Sequence, residues 1–360
     1  MNNRIIVGIS GGVDSSVTAL LLQKKGFDVE CVFMKNWEGN DDEYCTAEED
    51  YKDALAVCDH LGLPLRSVNF SQEYWDKVFQ HFIDEYKKGR TPNPDVLCNR
   101  EVKFKAFLDY ALELGAEKIA TGHYSIIDES NGDFKLLKGL DPGKDQSYFL
   151  YLLGQNALSK SIFPIGDIEK KEVRKLAEES GLVNHAKKDS TGVCFIGEQK
   201  FFKEFLKKYI PSNPGMIETI DGKECGKHDG LMYYTMGQRK GLGIGGGYGK
   251  LEAPWFVAEK DLYRNVLIVA QGHTHPALYH KQLFADQIHW IRGLVPEDLS
   301  GLSAKIRYRQ SDQKCKITEL SQDRCTVVFD KPQFAITPGQ SVVFYRDNEC
   351  LGGAVIDCRK

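Results

Sequence analysis

Apolar positions in the first half of the chain fall into short unbroken runs separated by segments with helical spacing. Arg4–Ser10, Val29–Met34, Leu65–Phe70 and Lys118–Tyr124 are rich in Ile, Val, Leu and Phe. Such runs read as strands covered on both faces. Between and after them, apolar residues recur at three and four positions near Ser15–Lys25, Ala47–Leu61, Tyr74–Lys88 and Glu101–Leu114, which predicts helices. This βαβα order predicts an α/β fold with a doubly wound parallel sheet, whose ligands sit beyond the strand C-termini. The stretch SIIDESNGDFKLLKG reads as a hairpin turning at Asn131-Gly132. Helical spacing resumes at Asp145–Leu153, Lys171–Ser180 and Glu198–Tyr209.

The pattern changes after YIPSNPG (Tyr209–Gly215), which reads as a linker. Beyond it, short alternating segments dominate, as in PWFVAEKDLYRNVLIVA and RCTVVFDKPQFAITPGQSVVFYR. They predict a small mixed β central domain followed by a C-terminal β-barrel. The expected division is 1–208, 209–274 and 275–360.

Composition narrows the function classes. The 360 residues include ten cysteines but no Cys-x-x-Cys pair and no signal-like leader, so we expect a reducing cytoplasmic setting and neither zinc nor an iron–sulfur cluster. No run is apolar enough for a membrane span. The net charge of −4 gives no global attraction to nucleic acid, so any such partner must meet local basic patches.

The first strand runs into Ser10-Gly11-Gly12-Val13-Asp14-Ser15-Ser16 and then a helix. Glycines let backbone N–H groups approach an anion, and the helix start adds the positive end of its dipole. Ser10, Ser15 and Ser16 add hydroxyls. The loop lacks the lysine of a GxxxxGK[ST] motif, which suits pyrophosphate carried with its metal, and Asp14 is a candidate to position that metal. On this reading Gly11→Val blocks the phosphate and leaves the fold intact.

Two cysteines stand in suggestive settings. Cys98, in RTPNPDVLCNREVKF, falls near a helix start between Asp95 and Arg100. Cys194, in KKDSTGVCFIGEQKF, follows a polar turn. Each stretch alone leaves open a reactive thiol or a small buried side chain.

SGGVDSS resembles the PP-loop of ATP pyrophosphatases. Together with TPNPDVLCNREVKF, ATGHY, GKDQSYFLY, STGVCFIG, TMGQRKGLGIGG and KIRYRQ, in that order, it resembles the bacterial tRNA-specific 2-thiouridylases along nearly the whole chain. The resemblance implies ATP, with Mg2+, against Gly8, Ile9, Ser10, Gly11, Gly12, Val13, Asp14 and Ser15, with Met34 and Gly122 lining the site. It implies that Asn93, Pro94 and Asp95 contact the target base, and that Lys144, Asp145, Gln146, Arg307 and Tyr308 contact tRNA near its anticodon. Cys194 matches the persulfide carrier, fed by a sulfur-donor or sulfur-relay protein, and Cys98 matches the second catalytic cysteine.

The implied chemistry is 2-thiolation of a wobble uridine. AMP transferred to the C2 oxygen makes it a leaving group, and a persulfide sulfur attacks C2. Cys98 then takes up the remaining sulfur as a transient Cys98–Cys194 disulfide, with Asp95 as general acid/base. A rival is a PP-loop amidating synthetase, which leaves both cysteines without a task; another is an RNA-binding module that senses ATP. GLGIGG (Gly241–Gly246) lacks a βαβ setting, so no NAD site is expected. The histidines of HTHPALYH read as a surface connector rather than a metal site. His123 is either near ATP or structural.

Overall fold

A computed structural model describes residues 3–38, 47–189, 202–245 and 253–360. Cys194 and the end of GLGIGG lie outside the described residues.

Strands β1 (Arg4–Ile9), β2 (Asp28–Lys35), β3 (Leu65–Asn69) and β4 (Lys118–Ala120) form the predicted parallel sheet. The hairpin strands are β5 (Ser125–Ser130) and β6 (Asp133–Lys138), and a two-residue β7 (Ser161–Ile162) completes the sheet edge in the order β3-β2-β1-β4-β7. β1 is central, and Ile5, Ile6, Val7 and Ile9 are at most 2% exposed, as a strand covered on both faces must be. Helix α1 (Val13–Lys24) is buried on nearly every side, and α2 (Ala47–Leu61) covers the same face of the sheet. The chain winds from β1 to β2 and β3, then returns to β4 on the other side of β1. The switch point therefore lies above the C-terminal ends of β1 and β4.

A four-stranded sheet follows, with β8 (Gly215–Thr219), β9 (Glu224–His228), β10 (Trp255–Asp261) and β11 (Val266–Gln271) in the order β10-β11-β8-β9. The remaining strands are β12 (Tyr279–Trp290), β13 (Ser303–Lys305), β14 (Gln313–Leu320), β15 (Arg324–Phe334), β16 (Ser341–Arg346) and β17 (Glu349–Arg359). They run β12-β15-β14-β13-β16-β17, and β17 pairs back onto β12 to close a six-stranded barrel.

The β5–β6 hairpin turns at Asn131 and Gly132, both at positive φ, as expected of a tight hairpin. It does not join the parallel sheet. β6 pairs with β17 through Glu349↔Leu137 and Cys350↔Leu136, so the first segment lends two strands to the barrel's sheet. Sequence alternation cannot tell which sheet a hairpin joins.

Lys260 of β10 is buried and donates from Nζ to the Gly89 carbonyl at 2.8 Å, across the boundary between the first and middle segments. Burial holds its ammonium down to about 7. An unfolded lysine titrates near ~10.4, so between about pH 7 and 10 the unfolded chain binds more protons and stability rises with pH. Lys260→Met removes that titration. Measured by denaturant melts, the stability of the parent relative to Lys260→Met should grow by about 1–3 kcal/mol across this window; a difference constant with pH would refute it.

Candidate active site at the switch point

The loop after β1 lies at the switch point. Gly12 is the N-cap of α1 and supplies no side-chain cap, so the first-turn N–H groups keep their capacity for an anion. Ser10 is exposed beside them, with its Oγ 3.2 Å from Ser15 Oγ. The other serines are committed inward. Ser15 donates to Gly12 O at 3.0 Å and accepts from Ser10 N–H at 3.1 Å. Ser16, fully buried, donates to Gly12 O at 2.9 Å and accepts from Asn184 Nδ2 at 3.0 Å. Ser16 is therefore part of the loop's scaffold, contrary to its reading as a free donor.

The expected nucleotide residues converge here. A Cβ on Gly8 would lie 3.1 Å from Met34 Cε and 3.2 Å from Phe107. A Cβ on Gly122, just past β4, would lie 2.8 Å from the Asp14 and Ser15 backbone, so only glycine permits the two loops to touch. Ile9 and Val13 have buried side chains and can offer a ligand their backbones alone. Gly11 corrects an expectation. It has φ +73°, and a Cβ there would lie 2.2 Å from Asp50 O at the start of α2. Gly11→Val would therefore strain the fold itself.

The missing lysine comes from elsewhere in the chain. Lys170, first residue of the helix Lys170–Glu179, places Nζ 2.7 and 2.9 Å from the Asp14 carboxylate oxygens. It also reaches Asp189 at 2.8 Å. Tyr124 donates to Asp14 Oδ1 at 2.7 Å. Asp14 thus meets an ammonium group where a metal was expected. Asp189 joins Lys144 (2.7 Å) and Arg174 (2.7 Å) to the cluster. Burial pushes the Asp189 carboxyl up, but the hydrogen bonds and charges of Lys144 and Lys170 outweigh it and leave the group at about 2. Sequence reasoning missed Lys170. The one available signal was an anionic loop residue without a cation.

The Asn93–Cys98 stretch starts a helical run. Asn93 caps the turn Pro94–Leu97, its side chain accepting from Asp95 N–H at 3.2 Å. Cys98 begins the wide π-helical segment Cys98–Ala106, so it lies a full turn inside the run rather than at its start, and it is 4% exposed. The dipole argument for its thiol is correspondingly weaker, because the effect fades within the first turn. Asp95 follows the cap on the exposed side of this turn. Desolvation by the surrounding protein raises its carboxyl above the usual range, against the pull of Lys103. Lys103 also acts on His123, whose burial holds it well below the usual imidazole range. His123 contacts Thr121 Oγ1 at 2.7 Å and packs on Phe104 and Phe163, a structural placement. Through Lys103, Phe104 and Phe107 the run Pro94–Glu113 connects the Asp95 turn with the floor of the phosphate loop.

The expected tRNA residues also meet. Tyr308 donates to Lys144 O at 3.2 Å and packs on Phe149 at 4.4 Å between ring centroids. Asp145 is buried, accepts from the backbone N–H groups of Gly139 and Ser147, and pairs with Lys305 at 3.1 Å. It shapes the turn and is not offered to a polyanion. Gln146 accepts from Tyr124 N–H at 3.0 Å. Arg307 donates to Ala335 O at 2.9 Å and lies over Phe334.

Among the described residues no group of three His, Cys, Asp or Glu side chains could hold a metal, and no helix is long and apolar enough to cross a membrane. No disulfide joins two of the eight described cysteines.

An open parallel sheet with a glycine-rich anion cradle at its switch point defines a nucleotide-binding α/β domain. Residues 3–198 match the family described as tRNA methyl transferase HUP domain, 203–271 its PRC-barrel domain, and 280–356 an aminomethyltransferase beta-barrel domain. The chain is 58% identical to the tRNA-specific 2-thiouridylase MnmA of Methylococcus capsulatus, covering 99% of this chain and 97% of that one. It is 59% identical to the enzyme of the same name from Hydrogenovibrio crunogenus, covering 99% and 95%. A solved 4-thiouridine synthetase–RNA complex with bound ATP is 21% identical with a TM-score of 0.37, covering 58% of this chain and 50% of that one. The chain belongs to the tRNA-specific 2-thiouridylase family.

Proposed function

We propose that this protein is a tRNA sulfurtransferase that replaces the C2 oxygen of a wobble uridine by sulfur at the expense of ATP. The carrying observation is the uncapped Gly11-Gly12 loop joined by one helical run to the Asn93–Cys98 turn. ATP is taken as a substrate, its phosphates on the N–H groups that begin α1 and on Ser10, with Lys170 as the nearby cation. Mg2+ would arrive on the nucleotide.

Transfer of AMP to the C2 oxygen releases pyrophosphate. A persulfide on Cys194 attacks C2, and AMP leaves with the former C2 oxygen. The Cys98 thiolate then breaks the bond between the Cys194 sulfur and the transferred sulfur, forming a disulfide that an external thiol reduces. Asp95, with its raised carboxyl, handles the proton at the base. The base must leave the anticodon stack to reach it, at a cost of roughly a few kcal/mol. Because Cys98 is buried, its turn must open for this step, and π turns recur at functional sites. A sulfur-relay protein is the partner that the persulfide requires.

Methyl transfer, the activity in the family description, is the second reading. It needs neither a pyrophosphate cradle nor two thiols. The two separate in one experiment, in which tRNA is incubated with ATP, Mg2+ and a persulfide source, followed by accurate-mass nucleoside analysis and assay of AMP and pyrophosphate. Exchange of oxygen for sulfur at uridine with matching AMP is expected. A methylated nucleoside, or thiolation without AMP, overturns the proposal.

A further inference from the structure

The segment just before the base turn is held by the barrel. Thr91 N–H donates to Pro338 O at 2.9 Å. Gln340 Nε2 donates to Thr91 O at 2.7 Å and to Pro92 O at 3.2 Å. Gly339, at φ +90°, brings its backbone so close that a Cβ would lie 2.9–3.0 Å from Thr91 N, C and O. Arg90 reaches Asp357 and Ile356 O at 3.0 and 3.1 Å. From the middle sheet, Lys260 holds Gly89 O at 2.8 Å and Thr235 Oγ1 lies 3.4 Å from Thr91 Oγ1. The backbone from Gly89 to Pro92 thus finds many of its partners outside its own domain, and Asn93 and Asp95 follow directly. The same barrel turn also accepts, at Ala335 O, the bond from Arg307.

We propose that Gln340 is a positioning residue for the reaction. Its amide, fixed on the barrel, sets Asn93–Asp95 against the target base, so the C-terminal barrel registers the catalytic turn besides meeting tRNA. This rests on the reading of Asn93–Asp95 as the base-binding turn. Two carbonyl oxygens converge on one NH2 group, so what matters is a donor at that point rather than the volume of the side chain.

The test compares Gln340→Glu, Gln340→Ala and Gln340→Lys with Asp95→Asn, measuring thiolation kcat, tRNA KM, ATP affinity and melting temperature. Gln340→Glu keeps the size but turns acceptors toward two acceptors. It should lower kcat roughly ten- to a hundredfold, the scale of a displacement near 1 Å, with tRNA KM and ATP affinity unchanged. Gln340→Ala should fall between Gln340→Glu and the parent, and Gln340→Lys, a donor again, should recover most of kcat. A residue that merely fills space predicts the opposite order, with Glu harmless and Lys harmful. That order, or a loss confined to tRNA KM, overturns the proposal. Full activity of Asp95→Asn would instead defeat the reading of the turn. Inactive Asp95→Asn beside a normal Gln340→Glu defeats the positioning role alone.

Discussion

Lys170→Met is expected to slow AMP formation at limiting ATP roughly a hundredfold while leaving the protein folded. The cradle loop carries an aspartate and no cation of its own, and Lys170 Nζ neutralises both Asp14 and Asp189 from a side chain that is 9% exposed at residue level. Without it, two carboxylates face incoming phosphates with one fewer compensating charge. Losing one hydrogen bond between charged groups at the phosphates costs about 1.5–3 kcal/mol, so we expect roughly a hundredfold loss in kcat/KM for ATP. The helix start should persist, because Lys170 N–H is held by Asp141 Oδ2 at 3.1 Å whatever the side chain. Lys170→Arg keeps the charge but replaces a compact ammonium by a planar fork, so partial activity is expected. The measurements are calorimetric ATP binding and AMP release. Parent-like ATP affinity in Lys170→Met would remove it from the nucleotide site.

What the chain discloses about itself follows from how local each feature is. β1 and α2 can be placed to within a residue because burial on both faces of a strand, or one face of a helix, is written in consecutive side chains. The phosphate loop is equally local, a strand, two glycines and a helix start in the ten positions Arg4–Val13. Lys170 was invisible because it stands 156 positions from Asp14 beside a second lysine, Lys171, with the spacing of any solvated helix. The helical run through Cys98 begins at Pro94, seven residues before the Glu101 start that the spacing predicts, because proline is at home in a first turn. Gly11 looked like a residue kept open for a ligand, yet α2 also fills the space over it. Asp145 is expected from the resemblance to contact tRNA, and its burial becomes evident only with Lys305 from the barrel. Apart from the Pro94 start, each difference involves a partner far away in sequence.

Cys194→Ser and Cys98→Ser should both end turnover but fail at different steps. A serine at 194 carries no persulfide, so that variant should accept no labelled sulfur from a persulfide donor and thiolate no tRNA. A serine at 98 cannot attack the S–S bond, so label should still arrive at Cys194 while no internal disulfide forms. The four described thiols of the barrel, Cys315, Cys325, Cys350 and Cys358, are poor competitors for physical reasons. Burial pushes Cys315 and Cys325 up to about 12 and Cys350 higher still, leaving almost no thiolate at neutral pH. Cys358 is exposed, but desolvation and the neighbouring Asp357 raise it as well. Serine at any of these should therefore leave sulfur transfer intact and cost stability only, roughly 0.5–3 kcal/mol for the buried ones. Asp95→Ala should keep both thiols and ATP binding and lose rate at the base, an intermediate failure that marks the chemical step. The assay is transfer of labelled sulfur followed by peptide mapping, with and without tRNA and ATP. Label resting on Cys98, or on any of the thiols in the barrel, would overturn this division of labour, because no route for the sulfur through Cys194 would then remain.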